Sequence, residues 1–211
     1  MKYIKLFENF EDYDPYELMI IPPNKKAEML MRELEKDEPN LDLVRDLITL
    51  GANLDWQDNI GETALHWCGW YNHIGIARML IDARADVNIQ DNYGRTALHM
   101  CVSYNHPEIA KMLIDAGADV NIQDYDGSTA LHVCAANNRT EILRMLIDAG
   151  ADLNMQDEDG WTALHVCARL NCPDIARMLI DAGADKTISN NEGKLPYELA
   201  DTQELKKLLK P

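Results

Sequence analysis

Four His-x-Cys pairs are the residues best equipped for chemistry: His66 and Cys68, His99 and Cys101, His132 and Cys134, His165 and Cys167. Imidazole nitrogen and thiolate sulfur are zinc ligands. The spacing argues against a zinc site. Residues two apart on a helix point about 200° away from each other, so a pair cannot chelate one ion. Units stacked a helix diameter apart, ~10 Å, cannot share an ion whose bonds are ~2 Å long. A cysteine repeated at one position reads instead as a small hydrophobe in a tight site. Asp86, Asp119, Asp152 and Asp185 form a second ladder, and such carboxylates accept backbone N–H bonds in turns. No Gly-rich phosphate loop, nucleophile elbow or paired metal motif occurs. No catalytic, metal or cofactor site is expected.

The elements that hold these ladders repeat without insertion. Thr-Ala-Leu-His occurs at 63–66, 96–99, 129–132 and 162–165, a constant step of 33 residues. Asp58, Asp91, Asp124 and Asp157 lie five residues before each Thr, and Gly61, Gly94, Gly127 and Gly160 two before it. Met-Leu-Ile-Asp-Ala recurs at 79–83, 112–116, 145–149 and 178–182. A fixed period means that each unit stacks on its neighbour in the same way.

Composition narrows the partners. The net charge of -16 repels phosphate backbones and anionic lipid, so neither nucleic acid nor a membrane surface is expected. A protein partner with a basic patch is favoured. Five cysteines, four at one repeat position, suit a reducing compartment rather than a disulfide framework. The opening Met1-Lys2-Tyr3-Ile4-Lys5 leads into no apolar signal region, and no run has the length of a membrane span. A cytoplasmic monomer is expected.

Residues 1–23 lie outside the repeat. Tyr3, Phe7, Phe10 and Asp14 follow helical steps, so Met1 to Tyr13 reads either as an amphipathic helix or as a frayed tail. Ile21-Pro22-Pro23 stops any helix there. Residues 24–57 read as a divergent capping unit. In it Asn24 caps a helix to Lys36, and Lys25, Lys26, Arg32, Glu33 and Glu35 face water. Regular units follow at 58–90, 91–123, 124–156 and 157–189, and residues 190–211 form a truncated closing cap. Within a unit, Thr129 caps a first helix that ends at Asn138 in the left-handed region. A second helix runs from Thr140 to Asp148, and Gly150 follows it.

The motifs Asp-x-x-Gly-x-Thr-Ala-Leu-His, Ile-x-x-x-Leu-Ile and Gly-Ala-Asp-Val-Asn, recurring in register, resemble the ankyrin repeat over about residues 24–211. The resemblance implies an all-α solenoid of stacked helix-turn-helix units with projecting β-hairpin loops. It implies binding of protein partners in a concave groove and no intrinsic chemistry. It also implies that each ladder histidine bridges the Thr hydroxyl of its own unit and the backbone of the adjoining loop. Alanine follows the Thr of all four units where the family usually has proline, and Arg84 stands where Gly117, Gly150 and Gly183 occupy the other units. A non-glycine residue there incurs a left-handed penalty. Lys186-Thr187 and Ser189 also depart from the hairpin pattern.

Arg78–Asp82, Lys111–Asp115, Arg144–Asp148 and Arg177–Asp181 read as i,i+4 surface pairs of small worth. The informative positions are those that vary on the repeating scaffold, at the loop tips and the exposed ends of the first helices. They are Ile60, Trp70, Tyr71, Tyr93, Arg95, Tyr104, Tyr125, Asn137, Trp161 and Arg169, with Trp56 in an equivalent arm. Trp, Tyr and Arg anchor protein interfaces. The other reading of these residues is aromatics that merely cover neighbouring loops. The function expected is a non-enzymatic protein-interaction module, an inhibitor or adaptor, since the chain shows no second domain to be recruited. The alternatives are an assembly protein that self-associates through residues 1–23, and a regulatory domain separated from its catalytic chain.

Overall fold

The computed structural model describes residues 15–211. The expected helix over Met1 to Tyr13 lies outside them. A short helix, α1 (Pro15–Met19), leads to α2 (Pro23–Leu34) and α3 (Leu41–Thr49). Four pairs follow: α4 (Ala64–Tyr71) with α5 (Ile74–Asp82), α6 (Ala97–Tyr104) with α7 (Pro107–Asp115), α8 (Ala130–Asn137) with α9 (Thr140–Asp148), and α10 (Ala163–Leu170) with α11 (Pro173–Asp181). α12 (Pro196–Leu199) and α13 (Gln203–Leu209) close the chain. First helices pack in one row, α2, α4, α6, α8, α10 and α12; second helices pack in another, α3, α5, α7, α9, α11 and α13. This is the all-α solenoid that the resemblance implies.

In the four regular units each first helix begins at a Thr with extended backbone and ends at Asn72, Asn105, Asn138 or Asn171, whose φ values are 62°, 62°, 55° and 56°. Asparagine tolerates that left-handed turn. Between the rows lie Leu65, Leu98, Leu131 and Leu164 from the first helices and Leu80, Leu113, Leu146 and Leu179 from the second, all buried. Cys68, Cys101, Cys134 and Cys167 are fully buried thiols among them. Burial pushes Cys101 and Cys134 up to about 12, so they stay protonated and inert.

The projecting β-hairpins are not formed: no strand occurs among the described residues. The hydrogen bonds show why. Asp91 N–H bonds Arg95 C=O at 2.8 Å, and Gly94 N–H bonds Asp91 C=O at 2.9 Å. The Asp91 carboxylate takes the N–H groups of Tyr93 and Arg95 at 2.8 and 2.9 Å. A side chain therefore satisfies donors that a strand ladder would use. One backbone bond joins successive tips: Asn92 N–H to Ile60 C=O, Tyr125 to Tyr93, Glu158 to Asp126, Asn191 to Asp159. The loops are stacked turns.

The capping unit differs from expectation in two places. Pro22 is the N-cap of α2 and Pro23 its first residue, while Asn24 accepts a bond from Asn53 at 2.9 Å. Proline at the first helical position sacrifices only a donor that had no partner. Lys26 and Glu33 do not face water; both are buried. Lys26 donates to Leu50 C=O, and Glu33 accepts from Lys36 and from Asn40 N–H. Leu18 and Ile21 are buried as well, so the core begins ahead of α2.

Candidate partner-binding face

The ladders that looked like chemistry hold the units together. Thr96 N–H donates to His99 Nδ1 at 3.1 Å, and the Thr96 hydroxyl lies 2.9 Å from the same nitrogen. A nitrogen that accepts carries no proton, so the proton is on Nε2, which donates to Ser128 C=O of the next unit at 3.3 Å. His66, His132 and His165 repeat this geometry, reaching Arg95, Trp161 and Lys194 C=O at 3.0 Å each. Burial lowers the pKa of all four below the ordinary 6.5. Among the described residues no group of three or more His, Cys, Asp or Glu is placed to hold a metal ion.

A glutamine ladder, not singled out in the sequence, adds to this. Gln90 Nε2 bonds Gly94 C=O of its own loop at 2.6 Å and Gln123 C=O of the next unit at 3.0 Å; Gln57, Gln123 and Gln156 do the same. Its signal was the 33-residue period itself. The aspartate ladder accepts backbone N–H groups as expected, Asp86 from Asn88 at 2.9 Å. Of the expected surface pairs, Lys111–Asp115 forms at 3.0 Å. Arg78 and Arg177 reach across to Glu108 and Glu204 of the following units, at 3.8 and 3.9 Å. That geometry is open to them because second helices stand side by side.

With the scaffold accounted for, the varying residues can be placed. Trp70 and Tyr104 stack with ring centroids 4.8 Å apart, joining the ends of α4 and α6, yet they remain 40% and 42% exposed. Tyr71 adjoins Trp70 at 6.3 Å and stacks on Trp67 at 5.7 Å and His73 at 5.8 Å. Ile60 shares a recess with Trp67, Trp70 and Tyr71. These residues come together across two units. Tyr93 lies under the Arg95 guanidinium at 4.8 Å and is exposed. Tyr125, also exposed, belongs to the next tip. Asn137 donates to Val133 C=O of its own helix, and Arg169 is exposed at the end of α10. Trp161 is half-buried, 6.1 Å from the His165 ring, and joins no other aromatic among the described residues. Trp56 is half-buried against the core.

Trp67 was missed as a member of this cluster. Its position holds Met100, Val133 and Val166 in the other units. That variation marks it by the same rule that selected Trp70. Its indole N–H donates to Asp58 at 3.3 Å, which turns the ring towards the tip.

The family model for ankyrin repeats (three copies) matches residues 30–124 and 119–190, and the chain belongs to the ankyrin-repeat family. Ankyrin-repeat domains are non-catalytic scaffolds that generally mediate protein–protein interaction. No curated protein matches the chain. No helix among the described residues is long and apolar enough to cross a membrane.

Proposed function

We propose that this chain is a binding module that lays a protein partner along its loop tips and first-helix ends, the concave groove of its fold family, as an inhibitor or adaptor. The Trp70–Tyr104 pair carries the reading. Two large rings from adjacent units stack on one another and still present about two fifths of their surface to water. Covering such a pair contributes to binding what it cannot contribute to the free fold. Tyr71 and Ile60 beside it, and Tyr93 and Tyr125 along the tips, are exposed too. The scaffold's own polar groups are spent between units, so the varying side chains are left to choose the partner. A net charge of -16 favours a partner with a basic surface over nucleic acid or an anionic membrane. Five free cysteines suit a reducing, cytoplasmic setting.

Affinity capture with the wild type and with Trp70→Ala/Tyr104→Ala/Trp161→Ala tests this. The variant, shown by circular dichroism to be folded, should lose the captured protein. Equal capture by both would remove this face from consideration.

A further inference from the structure

Beside the Trp70–Tyr104 pair lies a recess of about 230 Å³ bounded by Ile60, Glu62, Trp67, Trp70 and Tyr71. Its walls are aromatic, and Glu62 is set among them. Glu62 is 3% exposed, and its Oε1 has no hydrogen-bond partner. The nearest cation cannot satisfy it. Arg95 Nη2 is 3.7 Å from Oε1, beyond hydrogen-bond reach, because Nε and Nη2 of Arg95 are both held by Asp91 at 2.8 and 2.7 Å. Asp58, beneath the recess, is occupied by the N–H groups of Ile60 and Glu62 and by the Trp67 indole. Glu62 thus has two further carboxylates, Asp58 and Asp91, and a single guanidinium as its charged neighbours, and the site is net negative.

A buried carboxylate lacking a donor, set among ring faces, has a defined complement. Ring faces attract an organic cation, and the buried carboxylate supplies the opposite charge close by. A neutral aliphatic chain would fill the space and leave that charge uncompensated. An anion would meet the carboxylate directly. The other units lack this combination: position 62 is Arg95, Ser128 and Trp161 in turn, and position 67 is Met100, Val133 and Val166.

We infer that this recess receives one cationic side chain, lysine or arginine, of the protein partner, with Trp67, Trp70 and Tyr71 against its stem and head and the Glu62 carboxylate as its counter-charge. The inference rests on the binding face proposed above and names the chemistry of its anchor. Glu62 is raised from its ordinary pKa by burial and by Asp58 and Asp91, with Arg95 opposing; a bound cation would reverse that.

The test uses the full chain and three blocked pentapeptides, Gly-Gly-X-Gly-Gly with X as lysine, arginine or norleucine. Binding is read from the indole N–H resonances of Trp67 and Trp70, with Trp161 as the internal control. The lysine and arginine peptides should shift Trp67 and Trp70 saturably, and bind roughly tenfold or more tighter than the norleucine peptide. Glu62→Gln should abolish that preference, and Arg144→Ala, exposed on α9 away from this face, should preserve it. No saturable shift with either cationic peptide, or equal binding of norleucine, overturns the inference. So does a preference that survives Glu62→Gln. The comparison of the three peptides on wild type stands even if Glu62→Gln folds poorly. If the peptides fail while Trp70→Ala/Tyr104→Ala/Trp161→Ala still loses the partner, the cation site is wrong and the binding face remains.

Discussion

Acid should loosen this protein through its histidine ladder. His66, His99, His132 and His165 are between 0% and 4% exposed, and burial holds each below the ordinary 6.5. In every unit Nδ1 accepts a backbone N–H, as Thr129 to His132 at 3.1 Å. Protonating that nitrogen would set one N–H against another in a buried site. The unfolded chain takes up protons near pH 6.5, whereas the folded chain does so only at lower pH. The ladder's contribution is therefore fully present above pH 6.5 and is lost as pH falls through the folded pKa values. Inside that window each imidazole steepens the loss by about 1.4 kcal/mol per pH unit, and four together by about 5.5. Two effects run the other way. Glu62, with its raised pKa, contributes at low pH and loses that contribution as pH rises through its folded value. Protonation of carboxylates also relieves the self-repulsion of a chain at -16. Both are common to wild type and a single variant, so the difference isolates the ladder. Urea unfolding followed by tryptophan fluorescence, from about pH 7.5 to about pH 5 at constant ionic strength, should give curves for wild type and His132→Gln that run parallel above pH 6.5 and diverge below it, the variant's slope there shallower by at most about 1.4 kcal/mol per pH unit. Curves parallel throughout would refute the reasoning. So would resonances of His66, His99, His132 or His165 that titrate at or above 6.5 in the folded chain.

Arg84 has φ 67° where Gly117, Gly150 and Gly183 have 94°, 84° and 98°; Arg84→Gly should raise the urea midpoint, stabilising by about 1 kcal/mol. A Cβ on Gly117 meets nothing within 4 Å, but on Gly127 it would lie 2.7 Å from Glu158 N of the next unit. In thermal unfolding Gly127→Ala should therefore destabilise more than Gly117→Ala, because it also pushes two stacked tips apart. A thiol reagent should modify Cys172 first in the native chain, since the other four are buried; all five should react in urea. Light scattering should report a monomer both for the full chain and after deletion of residues 1–14.

The repeat period carried the regular stacking and, with the residue at each helix end, the left-handed asparagines, while the helix-pair solenoid and the histidine geometry came from the resemblance of the recurring motifs. What lay between units was harder to read. The β-hairpin expectation failed because Asp58, Asp91, Asp124 and Asp157 close their own loops through the side chain, leaving one backbone bond per interface. The charges of α2 were misassigned because Lys26 and Glu33 find partners in the following loop and in Asn40, contacts that helical periodicity does not encode. For the binding face, variation against the repeat pointed to Ile60, Trp70, Tyr71 and Tyr104. It overlooked Trp67 because that position belongs to a helix whose other copies are ordinary packing residues. Glu62, at a loop tip, is buried beside Arg95, a fact that only three-dimensional neighbours reveal.

The central claim is that the repeated residues build the scaffold and the unrepeated ones select the partner. Peptides selected from a random library on the wild-type chain, then titrated calorimetrically into wild type and Trp70→Ala/Tyr104→Ala, test it most directly. At matched melting temperature the variant should bind at least about tenfold more weakly, since anchors of this type each contribute about 2 kcal/mol or more. Equal affinity for both proteins would contradict the claim.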